Sequence, residues 1–299
     1  MKQLSGGEYG FLLLTSSLGN PGRKPLTVAQ FRTLIERSES MKRSEISRDV
    51  DVYDFVSIGY SPKLAQHFVD LLHDEVLLQY YLSKGRKAKC VPITRATENY
   101  PLILRRRLGL DSPGVLWVKG DISLLETPMV GLVGSRELLP ENEAFAAEVG
   151  RQAALQGYTL VSGNARGADK AAQNACLKAG GKVISVVADS LENKKPGENM
   201  LYLSEDGFDL EFSSQRALSR NRCIHALGLK TFVAQTGLEC GGTWDGTVKN
   251  LRAGWSSVYC YRDGSPGMEK LIQMGAFPVG LADLGSFYDL QTEESLFDR

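Results

Sequence analysis

The chain has 299 residues, 42% of them hydrophobic, and its 35 basic residues are matched by 35 acidic ones for a formal net charge of zero. That length and apolar content suit one large buried core or two modest ones. The charge balance excludes a global field drawing the protein onto nucleic acid or an anionic membrane, so any anion binding must come from a local patch.

The amino terminus holds one apolar run, Phe11–Leu14, too short for a signal-peptide core or a membrane span. A cytoplasmic protein with no membrane partner is expected. From about Tyr9 to Leu82 apolar residues recur three and four apart (Phe31, Leu34, Ile35; Leu64, Phe68, Leu71), with turns at Gly19–Pro25 and Gly59–Pro62. This predicts a small all-α domain over residues 1–83. Between Lys84 and Arg107 eight basic residues face one acid, Glu98, which reads as a solvated linker and helix face.

The next stretch alternates short apolar runs with helical ones, the pattern of βαβ units around a parallel sheet. Strands are predicted at Met129–Val133, Tyr158–Val161, Lys182–Val187, Lys230–Ala234 and Ser257–Tyr261. Helices are predicted at Glu141–Gln156, after Pro140, and at Asp169–Ala179, stopped by Gly180-Gly181. The fold class is therefore α/β: a Rossmann-like, open, mainly parallel sheet with flanking helices over residues 84–280. Residues 281–299, with Asp283, Asp289, Glu293, Glu294 and Asp298, read as an acidic tail, solvated or docked.

Ligands of open parallel sheets sit beyond the carboxyl ends of the strands, where helix amino termini offer a positive pole. Three small-residue loops fall there: Gly134-Ser135-Arg136, then Ser162-Gly163-Asn164-Ala165-Arg166-Gly167 before Asp169, and Gly241-Gly242-Thr243. Glycine permits close backbone approach, hydroxyls bond phosphate oxygens, and Arg136 and Arg166 add charge. A nicotinamide cofactor is excluded, because the first loop lacks Gly-x-Gly-x-x-Gly and the second strand ends without a ribose-binding carboxylate; a Walker ATPase is excluded by the missing Gly-x-x-x-x-Gly-Lys-Ser/Thr. The histidines (His67, His73, His225) and the five cysteines, with no Cys-x-x-Cys pair, offer no metal site, so no cofactor and no catalytic residue is assigned. The cysteines read as reduced and mostly buried.

Landmarks of one family occur in order along roughly residues 95–262. Tyr100–Leu104 and Pro113–Asp121 resemble the lead-in of the DNA-processing protein A (DprA/Smf) family, and Val133–Arg136 and Ser162–Asp169 its two phosphate-facing turns. Arg220-Asn221-Arg222 with Ile224 resembles its Arg-Asn-Arg helix, and Gly241–Thr247 its last loop. The resemblance implies a cytoplasmic homodimer that binds single-stranded DNA and helps load a RecA-type recombinase in DNA uptake and recombination. Lys194-Lys195-Pro196 stands where the family carries Tyr-Pro, and no room remains after the last loop for the winged helix of many members. Gly241–Thr247 also approaches the loop of the LOG phosphoribohydrolases, with Asn250 at their glutamate's place, so a nucleotide-sensing or nucleoside-monophosphate-hydrolysing protein is the alternative.

Arg136 leads the expected phosphate ligands, since a guanidinium at a strand end can bind bidentately; its competing fate is an ion pair with Glu137. Arg220 and Arg222 stand about 200° apart on a helix, so one should bind ligand and the other brace structure. Lys194 and Lys195 are candidate phosphate contacts, Asp169 and Asn221 brace the loops, and His225 reads as a polar-face residue. Trp244, Tyr202 and Phe212 could stack on bases, core packing being the commoner fate.

Overall fold

The computed structural model describes residues 4–39 and 50–290. Its amino-terminal part holds α1 (Gly6–Thr15), α2 (Val28–Ser38), α3 (Val52–Ser57), α4 (Pro62–Leu72) and α5 (Glu75–Lys87). Side chains set the starts: Ser5 with Glu8 and Thr27 with Gln30 close reciprocal capping boxes, and Ser61 caps α4 ahead of Pro62. Each cap satisfies amides that no helical carbonyl reaches.

There follow β1 (Val91–Thr94), α6 (Leu102–Leu108), β2 (Val115–Gly120), β3 (Met129–Val133), α7 (Pro140–Leu155), β4 (Thr159–Ser162), α8 (Ala168–Lys178), β5 (Lys182–Val187) and β6 (Met200–Glu205). After them come α9 (Ser214–Leu227), β7 (Lys230–Val233), α10 (Gly241–Ala253), β8 (Ser257–Tyr261), α11 (Pro266–Gln273) and β9 (Phe277–Val279). Among the described residues nine strands form one sheet in the order β1-β2-β6-β5-β4-β3-β7-β8-β9. β3 to β9 pair in parallel, and β1 and β2 close one side antiparallel. The α/β class and the mainly parallel sheet are as expected from the sequence. The five predicted strands are β3, β4, β5, β7 and β8; β1, β2, β6 and β9 are additional.

The strands send alternate side chains to two cores. Val130, Leu132 and Trp117 join α1, α4, α5, α7 and α8 on one face, while Met129, Val133, Leu116 and Val118 join α6, α9, α10 and α11 on the other. Chain order reverses beside β3: the chain steps outward through β4, β5 and β6, then returns to β7 on β3's other side. The loops after β3 and β7 therefore lead to helices on opposite faces and open a crevice at the carboxyl edge.

One sequence expectation changes in part, and of the two readings of the tail the structure shows one. The basic run from Lys84 to Arg107 is no linker: it ends α5, builds β1 and forms α6. Lys84 bonds Asp209 at 2.8 Å, Arg107 bonds the carbonyls of Ala226 (3.0 Å) and Gly228, and Arg95 is buried, while Arg86, Lys87, Lys89, Arg105 and Arg106 are exposed, so the solvated-face part of the expectation holds. The described part of the tail is docked. Phe287 is buried with its ring 4.8 Å from that of Phe232, and the Gln156 amide accepts from Phe287 N at 2.6 Å and donates to Leu284 O at 2.9 Å. Glu293, Glu294 and Asp298 lie outside the described residues. Among the described residues no helix is long and apolar enough to cross a membrane.

Helices α7 and α8 meet where Gly150 leaves room, since a Cβ there would stand 2.0 Å from the carbonyl oxygen of Ala172. Helix propensity alone favours Gly→Ala by about 1 kcal/mol, but overpacking costs about 1–3 kcal/mol. Gly150→Ala is therefore expected to lower stability in urea unfolding; a rise would mean that the helices do not touch there.

Candidate nucleic-acid interface

The crevice holds a cavity of about 770 Å³. Its lip comes from the loop after β3, where Gly134, Ser135, Arg136 and Glu137 line it. The β4–α8 loop contributes Ala165, Arg166 and Asp169, and α9 contributes Ser214, Ala217, Leu218, Arg220 and Asn221. Thr236, Gly237 and Cys240–Thr243 complete it from the β7–α10 side. The two lips are tied together: Ser135 donates to the Gln235 carbonyl from its amide at 3.0 Å and its hydroxyl at 3.2 Å.

Arg220 forms the floor. It is 8% exposed, its Nε has no partner, and the nearest carboxylate, Asp169, stands 3.8 Å from Nη2, beyond hydrogen-bond range. Burial lowers its pKa, and Asp169 opposes that shift. The backbone is shaped around it: a Cβ on Gly163 would fall 1.4 Å from Nη1, so any side chain there would displace the guanidinium. Asp169 accepts from the Ala165 amide at 3.0 Å and from the Gly163 amide. Burial pushes its carboxyl pKa up, against the pull of Arg220 and those amides. Gly167, with φ +84°, turns the chain into α8.

The two facing helix ends differ: in α8 the Ala168 amide donates to the Ser135 carbonyl at 3.2 Å and the first turn carries Asp169. Neither α8 nor α10 has a side-chain cap, and the first turn of α10, Gly241-Gly242-Thr243, contains no acid. Such a terminus is positive. Asn221 Nδ2 donates to the Gly242 carbonyl at 2.9 Å and so braces the turn. Arg136 is exposed, makes no ion pair among the described residues, and lies 5.8 Å from the Phe212 ring, which is itself 53% exposed. Glu137, considered above as its partner, binds Arg166 instead at 2.9 Å.

The structure thus brings Gly134, Ser135, Arg136, Ala165, Arg166, Arg220, Gly241, Gly242 and Thr243 to one cavity with Asp169 and Asn221. Other candidates lie elsewhere. Ser162, Gly163, Asn164 and Gly167 shape the loop from behind, the Ser162 hydroxyl accepting from Gln173 at 2.6 Å and Asn164 bonding Lys170. Lys194 is held by Asp189 at 2.5 Å, and Lys195 is exposed away from the cavity. Arg222 points to the far side of α9, bonded to Glu205 at 2.9 Å and to the Asp111 carbonyl at 2.8 Å. Trp244 and Tyr202 are buried, leaving Phe212 as the aromatic at the rim. Sequence reasoning missed Ser214, Ala217, Leu218, Thr236, Gly237 and Cys240. The spacing 214, 217, 218, 221 was the readable signal for the helix side. Cys240 is the exposed thiol, the other four being buried, and all five are free.

Fold and site together define an α/β protein whose carboxyl-edge crevice has the chemistry of an anion site. The chain belongs to the DNA recombination-mediator protein A family, whose profile matches residues 92–284. It is 33% identical over 179 residues to the DNA processing protein DprA of Streptococcus pneumoniae, covering 56% of this chain and 63% of that protein. With the DprA of Bacillus subtilis it shares 29% over 210 residues, 64% of this chain and 68% of the other. The X-ray structure of the S. pneumoniae DprA superposes with a TM-score of 0.71 at 26% identity, covering 97% of this chain and all of that one (100%). A Helicobacter pylori DprA structure, described for its single-stranded DNA binding mode, has the same fold, with a TM-score of 0.54 at 23% identity over 66% of this chain and 92% of that one.

His225 is not on a polar face but buried beneath α10. Its Nδ1 lies 3.0 Å from Asn250 Nδ2, Nε2 has no partner, and burial pushes its pKa down to about 3. The unfolded imidazole titrates near 6.5, roughly the model-peptide value. Between those values the unfolded chain takes up a proton that the folded chain refuses. The stability contribution is complete above pH 6.5 and is lost as pH falls toward 3, at up to about 1.4 kcal/mol per pH unit. Urea unfolding of His225→Gln between pH 7 and 4 should show a shallower loss than the parent chain; parallel curves would mean that His225 is protonated in the fold.

Proposed function

We propose that this chain binds single-stranded DNA at the carboxyl-edge cavity. The observation carrying the reading is Arg220, a buried guanidinium whose Nε lacks a partner, set in the floor of a cavity that also holds Arg136 free of ion pairs among the described residues. A buried donor left unpaired costs about 1–3 kcal/mol, and a phosphate oxygen removes that cost. The uncapped, acid-free first turn of α10 supplies further amides for backbone phosphates. The ligand set is Gly134, Ser135, Arg136, Ala165, Arg166, Arg220 and Gly241–Thr243, with Asp169 and Asn221 bracing. Membership of the family supports the same reading, together with loading of a RecA-type recombinase by a cytoplasmic homodimer.

Few cations line the cavity, so few phosphates are neutralised. The slope of log K against log salt should be shallow, about 0.7 per phosphate on a single strand. Arg136→Ala should remove about one such contact and lower oligothymidylate affinity by about 1.5–3 kcal/mol, the range for a hydrogen bond to a charged group. The loss should be similar for all base sequences, because phosphate contacts carry no sequence information. Fluorescence anisotropy across a salt series measures both quantities. An unchanged slope with a large fall in melting temperature would assign Arg136 to bracing the Gly134 loop and would defeat the reading.

A further inference from the structure

Helix α9 carries Arg220 and Asn221, and because successive residues are about 100° apart, its side chains are aimed only as well as its rotation is fixed. One set of contacts on the helix lies on the side away from the cavity. Glu205, 6% exposed at the last position of β6, takes three donors from α9 on one carboxylate: Arg222 Nη2 at 2.9 Å and Ser219 Oγ at 3.5 Å on Oε2, and Cys223 Sγ at 3.2 Å on Oε1. Positions 219, 222 and 223 make one stripe of the helix. Arg216, one turn earlier, continues it with bonds to Ser204 Oγ at 2.8 Å and the Glu205 carbonyl at 3.4 Å. The opposite stripe, Ser214, Ala217, Leu218 and Asn221, lines the cavity.

We propose that Glu205 is a positioning residue for the cavity: its carboxylate grips α9 from behind and sets the rotation that holds the Arg220 guanidinium against Gly163 and Asp169. The consequence for DNA rests on the single-strand reading above; the grip itself does not. Charge is essential to it, because Arg222 is largely buried, and a neutral group opposite would leave only Asp206 as a countercharge and the end of α9 free to shift toward solvent. Small rotations matter. A roll of about 20° moves a guanidinium standing roughly 8 Å from the helix axis by nearly 3 Å. Gly163 has no such slack, with its Cβ position 1.4 Å from Nη1.

The test uses the full chain with Glu205→Gln, which keeps shape and loses charge, and Glu205→Asp, which keeps charge and shortens the reach. Hydrogen exchange without DNA should become at least tenfold faster across residues 163–169 in Glu205→Gln, while α7 is unaltered. Affinity for an oligothymidylate should fall five- to tenfold. Adding Arg220→Gln to Glu205→Gln should cost less than a further twofold, since the first change already misplaces that side chain, whereas adding Arg136→Ala should multiply in full. Unchanged exchange across 163–169, or full multiplication of the Glu205→Gln and Arg220→Gln effects, would overturn the proposal. If neither Arg136→Ala nor Arg220→Gln weakens the oligonucleotide, the single-strand reading fails and exchange alone decides the role of Glu205. Should Glu205→Gln not fold, Glu205→Asp decides by the same readouts, with smaller changes expected and unaltered exchange overturning it.

Discussion

The contact between the Arg220 guanidinium and the backbone at Gly163 constrains everything at the carboxyl edge. A charge moved out of water is costly unless it is paired and hydrogen-bonded. Here Asp169 supplies the countercharge, but at 3.8 Å and with its oxygens already engaged by amides of the β4–α8 loop. The carboxylate therefore serves two purposes: it folds the loop and it offsets the arginine. It does not consume the arginine's donors. Gly163 must lack a side chain for the guanidinium to lie where it does, so the sequence of the loop, the position of α9 and the depth of the cavity are one constraint rather than three.

Topology explains why that constraint falls at an opening. The loop after β3 goes to α7 on one face and the loop after β7 to α10 on the other, and the bonds from Ser135 to the Gln235 carbonyl hold the two lips at a fixed separation. The lining charges are Arg136, Arg166 and Arg220 against Glu137 and Asp169, a local excess of one positive charge in a chain whose total is zero. The uncapped, acid-free terminus of α10 adds to it. On the proposed reading, so small an excess in a neutral chain limits long-range attraction of nucleic acid and leaves recognition to close contact.

The sequence was most legible where the chemistry is local. Apolar runs ended by Gly, Ser and Arg marked β3, β4, β5, β7 and β8, and the glycine-rich turns after them marked the cavity lip. Both edge strands were missed, and each contains a proline, Pro92 in β1 and Pro278 in β9. Proline is tolerated at an edge but reads as a strand breaker. β2 and β6 are short apolar segments that periodicity cannot separate from buried helix. Among the site candidates, Ser162 went to Gln173, Lys194 to Asp189 and Arg222 to Glu205. Each of those partners is decided by how elements pack, which spacing along the chain does not encode. The 200° separation of Arg220 and Arg222 was an exception, because helix geometry alone required the two to part.

The depth of the cavity bears on which nucleic acid the proposed reading favours. A duplex presents its phosphates on a stiff convex cylinder, and a guanidinium that is 8% exposed at the bottom of a crevice cannot meet them without the strand bending inward. A single strand bends at little cost and can lower one phosphate to Arg220 while its neighbours reach Arg136 and the first turn of α10. The unstacked bases that accompany such a bend need an apolar face. Phe212 and Leu218, both exposed at the rim, supply one, and base–aromatic stacking contributes about 1–3 kcal/mol per base irrespective of sequence. On the proposed reading, the recessed Arg220 beneath an apolar rim discriminates by backbone flexibility instead of base identity, favouring any single strand over a duplex.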